Sequence, residues 1–137
     1  MPFIHVRYTR PTPHASLEGD PAALAALATD LTSRLLGKRA EVTAVLAEPV
    51  DAARWFVAGD PVAGGTRATF HWVVSVTRGT NTKDEKAAYI REVYARVAEL
   101  LGPVHEASYV LVHEVDGDGY GYAGLTQERR YIDATPR

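Results

Sequence analysis

The feature that most restricts the fold is an internal repeat. Leu36-Gly37 recurs as Leu101-Gly102, and Ala58-Gly59 recurs as Ala123-Gly124, both at an offset of 65 residues. Two motifs sharing one offset mean that one supersecondary unit is built twice. In the first unit the β-prone run Phe3 to Tyr8 reads as a strand, and the Pro- and Gly-bearing stretch Thr9 to Asp20 as a loop. Asp20 as N-cap and Pro21 at the first helical position then open an Ala- and Leu-rich helix that Gly37 stops, with Leu24, Leu27, Leu31 and Leu35 on one face. Val42 to Glu48 is a nearly all-apolar strand, closed by Pro49 and Asp51, and Arg54 to Gly59 is a short aromatic turn or hairpin. The second unit runs in the same order. Ala68 to Thr77 is a strand, and Thr82 with Glu85 forms a capping box at the head of a helix. Ala87, Ile90, Val93, Val97 and Leu100 mark that helix's buried face, and Gly102-Pro103 ends it before the strand Tyr109 to Val115. Each unit carries a Glu at the end of its second strand, Glu48 and Glu114.

These elements define an α+β fold: two tandem βαβ units in one domain, forming a four-stranded sheet with both helices on one face. The units span 1–59 and 68–125, joined by a Pro/Gly-rich linker at 60–67 and followed by a polar arm at 126–137. With both helices on one side, the other face of the sheet is bare and partly apolar. Self-association is the expected remedy.

Composition narrows the function classes. A net charge of −2 argues against general affinity for nucleic acid, and the absence of cysteine excludes thiolate chemistry and disulfides. No stretch reaches the length of a membrane span and no signal peptide opens the chain, so a soluble, cytoplasmic protein is expected. The five histidines, His5, His14, His71, His105 and His113, show no ligand-like spacing. Asp116-Gly117-Asp118-Gly119 lacks most ligands of a calcium loop and reads as a tight turn. No metal and no cofactor is expected.

Chemistry is suggested at the N-terminus. Pro2 follows the initiator methionine, whose removal would leave a secondary amine at the head of the first strand. Burial among apolar side chains lowers the pKa of such an amine and makes it a general base. The reading without chemistry is a proline that simply opens a strand.

The residues resemble the tautomerase superfamily, over nearly the whole chain. The resemblance rests on Pro2 before a strand, on Lys83-Asp84-Glu85-Lys86 running into Ile90-Arg91-Glu92-Val93, and on the turns Trp55 to Gly59 and Tyr120 to Gly124. The Ile-Arg-Glu-Val helix is similar to that of 4-oxalocrotonate tautomerase. The resemblance implies a homotrimer of double βαβ subunits with catalytic Pro2 near a subunit interface. It also implies arginines for a substrate carboxylate, which can stabilise a developing enolate as well. Arg78 takes the first place of the pair that precedes the second helix in fused members, while Asn81 stands at the second with a donor but no charge. The arginine of the single-unit enzymes falls at Thr43 and Tyr109; Tyr109 offers a phenol or packs at an interface. Trp55 and Tyr120 match the aromatic that walls the pocket, and Arg7 or Arg10 is placed to supply the missing cation.

The departures narrow the chemistry. Where the hydrating and dehalogenating relatives carry a carboxylate in the last turn, this chain has Tyr122, and their first-helix histidine falls at Thr32. Glu41 lies close to, but not on, the acidic position of the decarboxylases. The implied function is therefore isomerisation by proton transfer on a small α-keto or unsaturated carboxylic acid. Its rivals are hydration, dehalogenation or decarboxylation of a short acid, and a non-catalytic trimeric binding protein.

Overall fold

In the computed structural model, residues 2–11 and 19–136 are described. Met1, His14 and most of the loop expected over Thr9 to Asp20 lie outside them. The sheet has the order β2-β1-β5-β6, where β1 is Phe3–Thr9, β2 Ala44–Pro49, β5 Thr69–Thr77 and β6 Tyr109–Val115. β1 pairs β2 in parallel across α1 (Asp20–Leu36), and β5 pairs β6 in parallel across α2 (Lys83–Leu101). The units meet where β1 and β5 run antiparallel. This is the expected α+β arrangement.

Alternation along the central strands decides which face each residue takes. Ile4 and Val6 of β1 and Phe70, Trp72, Val74 and Val76 of β5 are essentially inaccessible. They pack with Leu24, Ala28 and Leu31 of α1 and Tyr89, Val93 and Val97 of α2. Each such side chain contributes about 1.5–3 kcal/mol on burial. Where β1 and β5 meet at one end, the buried Thr9 and Thr69 hydroxyls hydrogen-bond each other at 2.7 Å.

Several local readings change. Asp20 does not cap α1, whose N-cap is Gly19; it is buried and ion-paired with Arg10 instead. The capping box is present as expected, with Thr82 and Glu85 each receiving the other's backbone N–H. The buried stripe of α2 is rotated, since Tyr89 is inaccessible and Ile90 is 40% exposed. Asp60 and Pro61, placed in the linker by sequence, form β4 (Asp60–Pro61), paired in a hairpin with β3 (Phe56–Val57). The matching hairpin in the second unit joins β7 (Gly121–Tyr122) to β8 (Leu125–Thr126). Ala58 and Gly59 (φ 53° and 82°) and Ala123 and Gly124 (φ 52° and 81°) turn these hairpins with the same left-handed backbone. The repeat thus extends to dihedral angles.

The polar C-terminal arm carries a helix of its own. Gln127–Ala134 forms a third helix, α3, opened by the Thr126 hydroxyl accepting from the Arg129 N–H.

The two strand-end glutamates are not equivalents. Their offset is 66 residues, one more than the repeat, and a one-residue slip moves a strand side chain to the opposite face. Glu48 lies on the face away from the helices with His5 and Arg7, whereas Glu114 binds Lys86 of α2 at 2.7 Å. The face away from the helices is uncovered within the subunit. Phe3, Leu46, Leu111 and Tyr109 are 45%, 48%, 49% and 65% exposed on it. Among the described residues no helix is long and apolar enough to cross a membrane.

Candidate active site

Strand direction divides the molecule into two ends. β1 and β2 begin at the end where β5 and β6 finish, because Phe3 sits opposite Ala44 on one side and Ser75 on the other. Pro2 is buried there, and its carbonyl accepts from the Ala44 N–H. Continuing the register, Pro2 comes alongside Val76 and next to Thr77-Arg78. Tyr120, which follows the turn after β6, folds back over this point and donates its phenol to the Ser75 carbonyl at 3.2 Å. Burial raises the Tyr120 pKa, and a hydrogen bond with the Phe3 backbone works against the rise.

Arg78 leaves the end of β5, where its backbone N–H donates to the Val115 carbonyl. Its Nε donates to Asp116 at 2.7 Å, a pairing that raises the guanidinium pKa further. The side chain is largely exposed and lines a cleft of ≈ 1010 Å³ between the strand ends and α3. Arg39, Tyr122, Gln127 and Arg130 also line it. Glu114, behind Arg78, is held below the usual carboxylate range by Lys86 and then by the Gly79 N–H.

The other predicted binding residues go elsewhere. Asn81 donates its side-chain amide to the Leu36 carbonyl at 2.9 Å, fastening the turn before α2 to the end of α1. Arg10 is at the opposite end of the sheet and is fully engaged: Nε and Nη2 grip Asp20 at 2.8 Å each, and Nη1 donates to the Leu101 carbonyl. With only 11% and 5% of the two side chains exposed, this pair is part of the framework. Arg7 is spent on Glu48 across the open sheet face. Neither arginine reaches the cleft. Thr32 is buried and hydrogen-bonds the Tyr89 phenol at 2.9 Å. Thr43, half-buried beside β2, bonds back to the Arg39 carbonyl.

Trp55 and Tyr109 are likewise remote from Pro2 in the same chain. β2 ends beside Tyr8, so the half-buried Trp55 that follows it sits at the far end, and Tyr109 pairs with His71 near that end. The repeat explains the split. Trp55 and Tyr120 are 65 residues apart and stand at equivalent places in units that point in opposite directions. A smaller cavity of ≈ 320 Å³ at the far end, lined by Val57, Asp60, Val62, Gly65, Thr66 and Arg67, is the counterpart of the cleft. No chain terminus opens there, because β5 is preceded by Arg67-Ala68.

Sequence reasoning missed Arg39, Gln127 and Arg130. The signal for the last two was present: Thr126 followed by Gln-Glu-Arg-Arg is an N-cap before good helix formers, and Arg129 with Asp133 is an i, i+4 ion pair. Among the described residues no group of three or more His, Asp or Glu is placed to hold a metal.

No family model and no curated protein matches the chain. Solved structures do. A fused 4-OT described as a wild-type symmetric trimer is 23% identical, with a TM-score of 0.75 over 92% of this chain and 96% of that one. A member of the cis-3-chloroacrylic acid dehalogenase family is 20% identical, with a TM-score of 0.73 over 96% and 92%. A third protein, inactivated by 2-oxo-3-pentynoate, is 15% identical, with a TM-score of 0.77 over 93% and 98%. The fold is therefore the one shared by these solved structures, the fused 4-OT among them.

Proposed function

We propose that the chain, once Met1 is removed, is a cofactor-independent isomerase that moves a proton within a small α-keto or unsaturated carboxylic acid. The observation that carries this reading is the position of Pro2: buried at the head of β1, one residue before the Phe3–Ser75 pair, whose Ser75 carbonyl receives the Tyr120 phenol, and at the end of the sheet where β5 runs out into Arg78. A secondary amine there is disfavoured as a cation by burial, so it can accept a proton from carbon. The electron pair of the broken C–H bond moves onto the substrate oxygen as an enolate, which Arg78 stabilises while holding the carboxylate. The prolinium then returns the same proton to another atom of the enolate, and the amine is regenerated. Nothing else need be consumed.

The working assembly in this reading is a homotrimer, as the fused 4-OT noted above is described. Packing the open sheet faces together would cover Phe3, Leu46, Leu111 and Tyr109. It would also bring Trp55 and Tyr109 of one copy toward Pro2 of another. Asn81 serves the site by holding the turn rather than by touching substrate. A second reading has one observation in its favour: Asp118 and Glu128 bring carboxylates into the same cleft, where hydration of an unsaturated acid would need a base for water. The test is a panel of enol and unsaturated acids with the processed protein and with Pro2→Ala. Activity lost in the variant, together with selective alkylation of the N-terminal peptide by 3-bromopyruvate, supports the amine mechanism. Full activity in Pro2→Ala with an unlabelled N-terminus refutes it.

A further inference from the structure

We propose that Arg130, on α3, is the second anion-binding cation of the cleft, and that with Gln127 it receives a carboxylate of the substrate. The proposal rests on reading the cleft as the substrate site. It starts from helix geometry. Arg129 and Arg130 are consecutive and so point about 100° apart. Arg129 takes the exposed side and pairs with Asp133 at 3.2 Å. Arg130 turns into the cleft, its guanidinium lying 3.8 Å from the Tyr122 ring centroid and Nη2 donating to the Tyr122 carbonyl at 3.0 Å. Among the described residues that stacking and that bond are its contacts; they fix the plane of the guanidinium and leave its other donors without a protein acceptor.

Two of the donors in this corner are conspicuous. Arg130 Nε and, three residues earlier on the same helix, Gln127 Nε2 are both buried and have no hydrogen-bond acceptor among the described residues. Buried N–H groups are nearly always satisfied, and a neighbouring pair without acceptors is complementary to an oxygen-rich anion. Charge points the same way. Of the arginines lining the cleft, Arg78 is bound to Asp116 at 2.7 Å and Arg39 approaches Glu41 at 3.6 Å, whereas Arg130 makes no ion pair among the described residues. The carboxylates that share the cleft are Asp118, Glu128 and Asp133, the last engaged by Arg129.

The repeat supplies an independent argument. The counterpart of Arg130 at the 65-residue offset is Gly65, which lines the smaller far-end cavity. Gln127 corresponds to Val62, and α3 has no helical counterpart after β4. The cation is therefore not required to close the hairpin it stacks on, since the first unit closes the same hairpin without it. It has been added at the end of the molecule that carries Pro2. The ligand class follows from the donors: a planar carboxylate on a small acid, with a neutral isostere excluded.

The test uses crotonate and crotonamide as probes and equilibrium binding as the readout. Wild-type protein should bind crotonate and not crotonamide. Arg130→Ala should weaken crotonate binding at least tenfold, Arg130→Lys should restore part of it, and Arg129→Ala should leave it unchanged while loosening α3. Pro2→Ala should bind crotonate normally, so failure of the amine mechanism would leave this result standing. Wild-type affinity in Arg130→Ala would overturn the proposal. So would equal losses in Arg129→Ala and Arg130→Ala, or a wild-type protein that binds neither probe.

Discussion

Replacing Tyr89 by Phe tests how the two helices are fixed to the sheet that carries the site. Trp72 Nε1 donates to the Tyr89 oxygen at 2.9 Å, and that oxygen and the Thr32 hydroxyl lie 2.9 Å apart; all three residues are inaccessible. The chain of contacts links β5, α2 and α1. Phe fills the same volume, so the change removes no packing, only the oxygen. Two hydrogen bonds of about 1 kcal/mol each are lost, and the Trp72 N–H is left buried without an acceptor at a further cost of about 1–3 kcal/mol, partly overlapping. The expected loss is about 2–4 kcal/mol in urea unfolding, compared at equal protein concentration because assembly shifts apparent stability. The phenol gives a second signature. Burial pushes its pKa from 10.0 up to about 12, with the Thr32 and Trp72 hydrogen bonds opposing the rise. The raised value means that the unfolded chain ionises first. Stability from this group is full below pH 10 and falls as pH climbs toward 12, by roughly 3 kcal/mol in all. Tyr89→Phe should lack that alkaline decline. A loss under about 0.5 kcal/mol, or an unchanged decline, would show that the network does not hold the helices.

Arg78→Ala should lower kcat/KM at least about tenfold with little change in melting temperature, because the side chain is exposed at a strand end; unchanged kinetics would take the carboxylate grip away from Arg78. Arg10→Ala should do the reverse, destabilising the fold by about 3 kcal/mol through loss of a buried bidentate pair, with kinetics of the surviving folded protein unaltered. Ala123→Gly should stabilise the second hairpin by a few tenths of a kcal/mol, up to about 1, because alanine at φ 52° pays a left-handed penalty that glycine does not; lower thermal stability would contradict it.

What could be read from the sequence was whatever periodicity and punctuation control locally. The succession of strands and helices along the chain, the Thr82–Glu85 box and the Gly37 stop follow from patterns within a few residues. The errors came where a side chain's partner is distant in sequence. Tyr89 was passed over for Ile90 because aliphatic periodicity cannot register that Trp72 and Thr32 will satisfy a buried phenol. Arg10 looked available because Asp20 was assigned to capping, and pairing them requires the intervening loop to close. Glu48 and Glu114 looked equivalent because matching them by eye tolerated a one-residue slip that a strand does not. The site was least legible, because the resemblance that grouped Trp55 and Tyr109 with Pro2, and the nearness of Arg10 to the N-terminus, say nothing of the antiparallel meeting of β1 and β5, which puts all three at the other end of the same chain.

That separation has a consequence for assembly. If Trp55 serves a proline site at all, the site it serves belongs to another copy, because β1 itself lies between Trp55 and the Pro2 of its own chain. In a trimer packed through the open sheet faces, a Pro2→Ala chain still offers an intact Trp55, and a Trp55→Ala chain still offers an intact Pro2. Each variant alone should be poorly active. Refolded together in equal amounts, they should regain about a quarter of wild-type sites by random assortment, each formed where a Trp55→Ala chain receives its aromatic from a Pro2→Ala neighbour. Native mass spectrometry would confirm that mixed trimers had formed. Mixed trimers without recovered activity would place Trp55 outside the site, and a stable monomer in sedimentation would remove the shared site altogether.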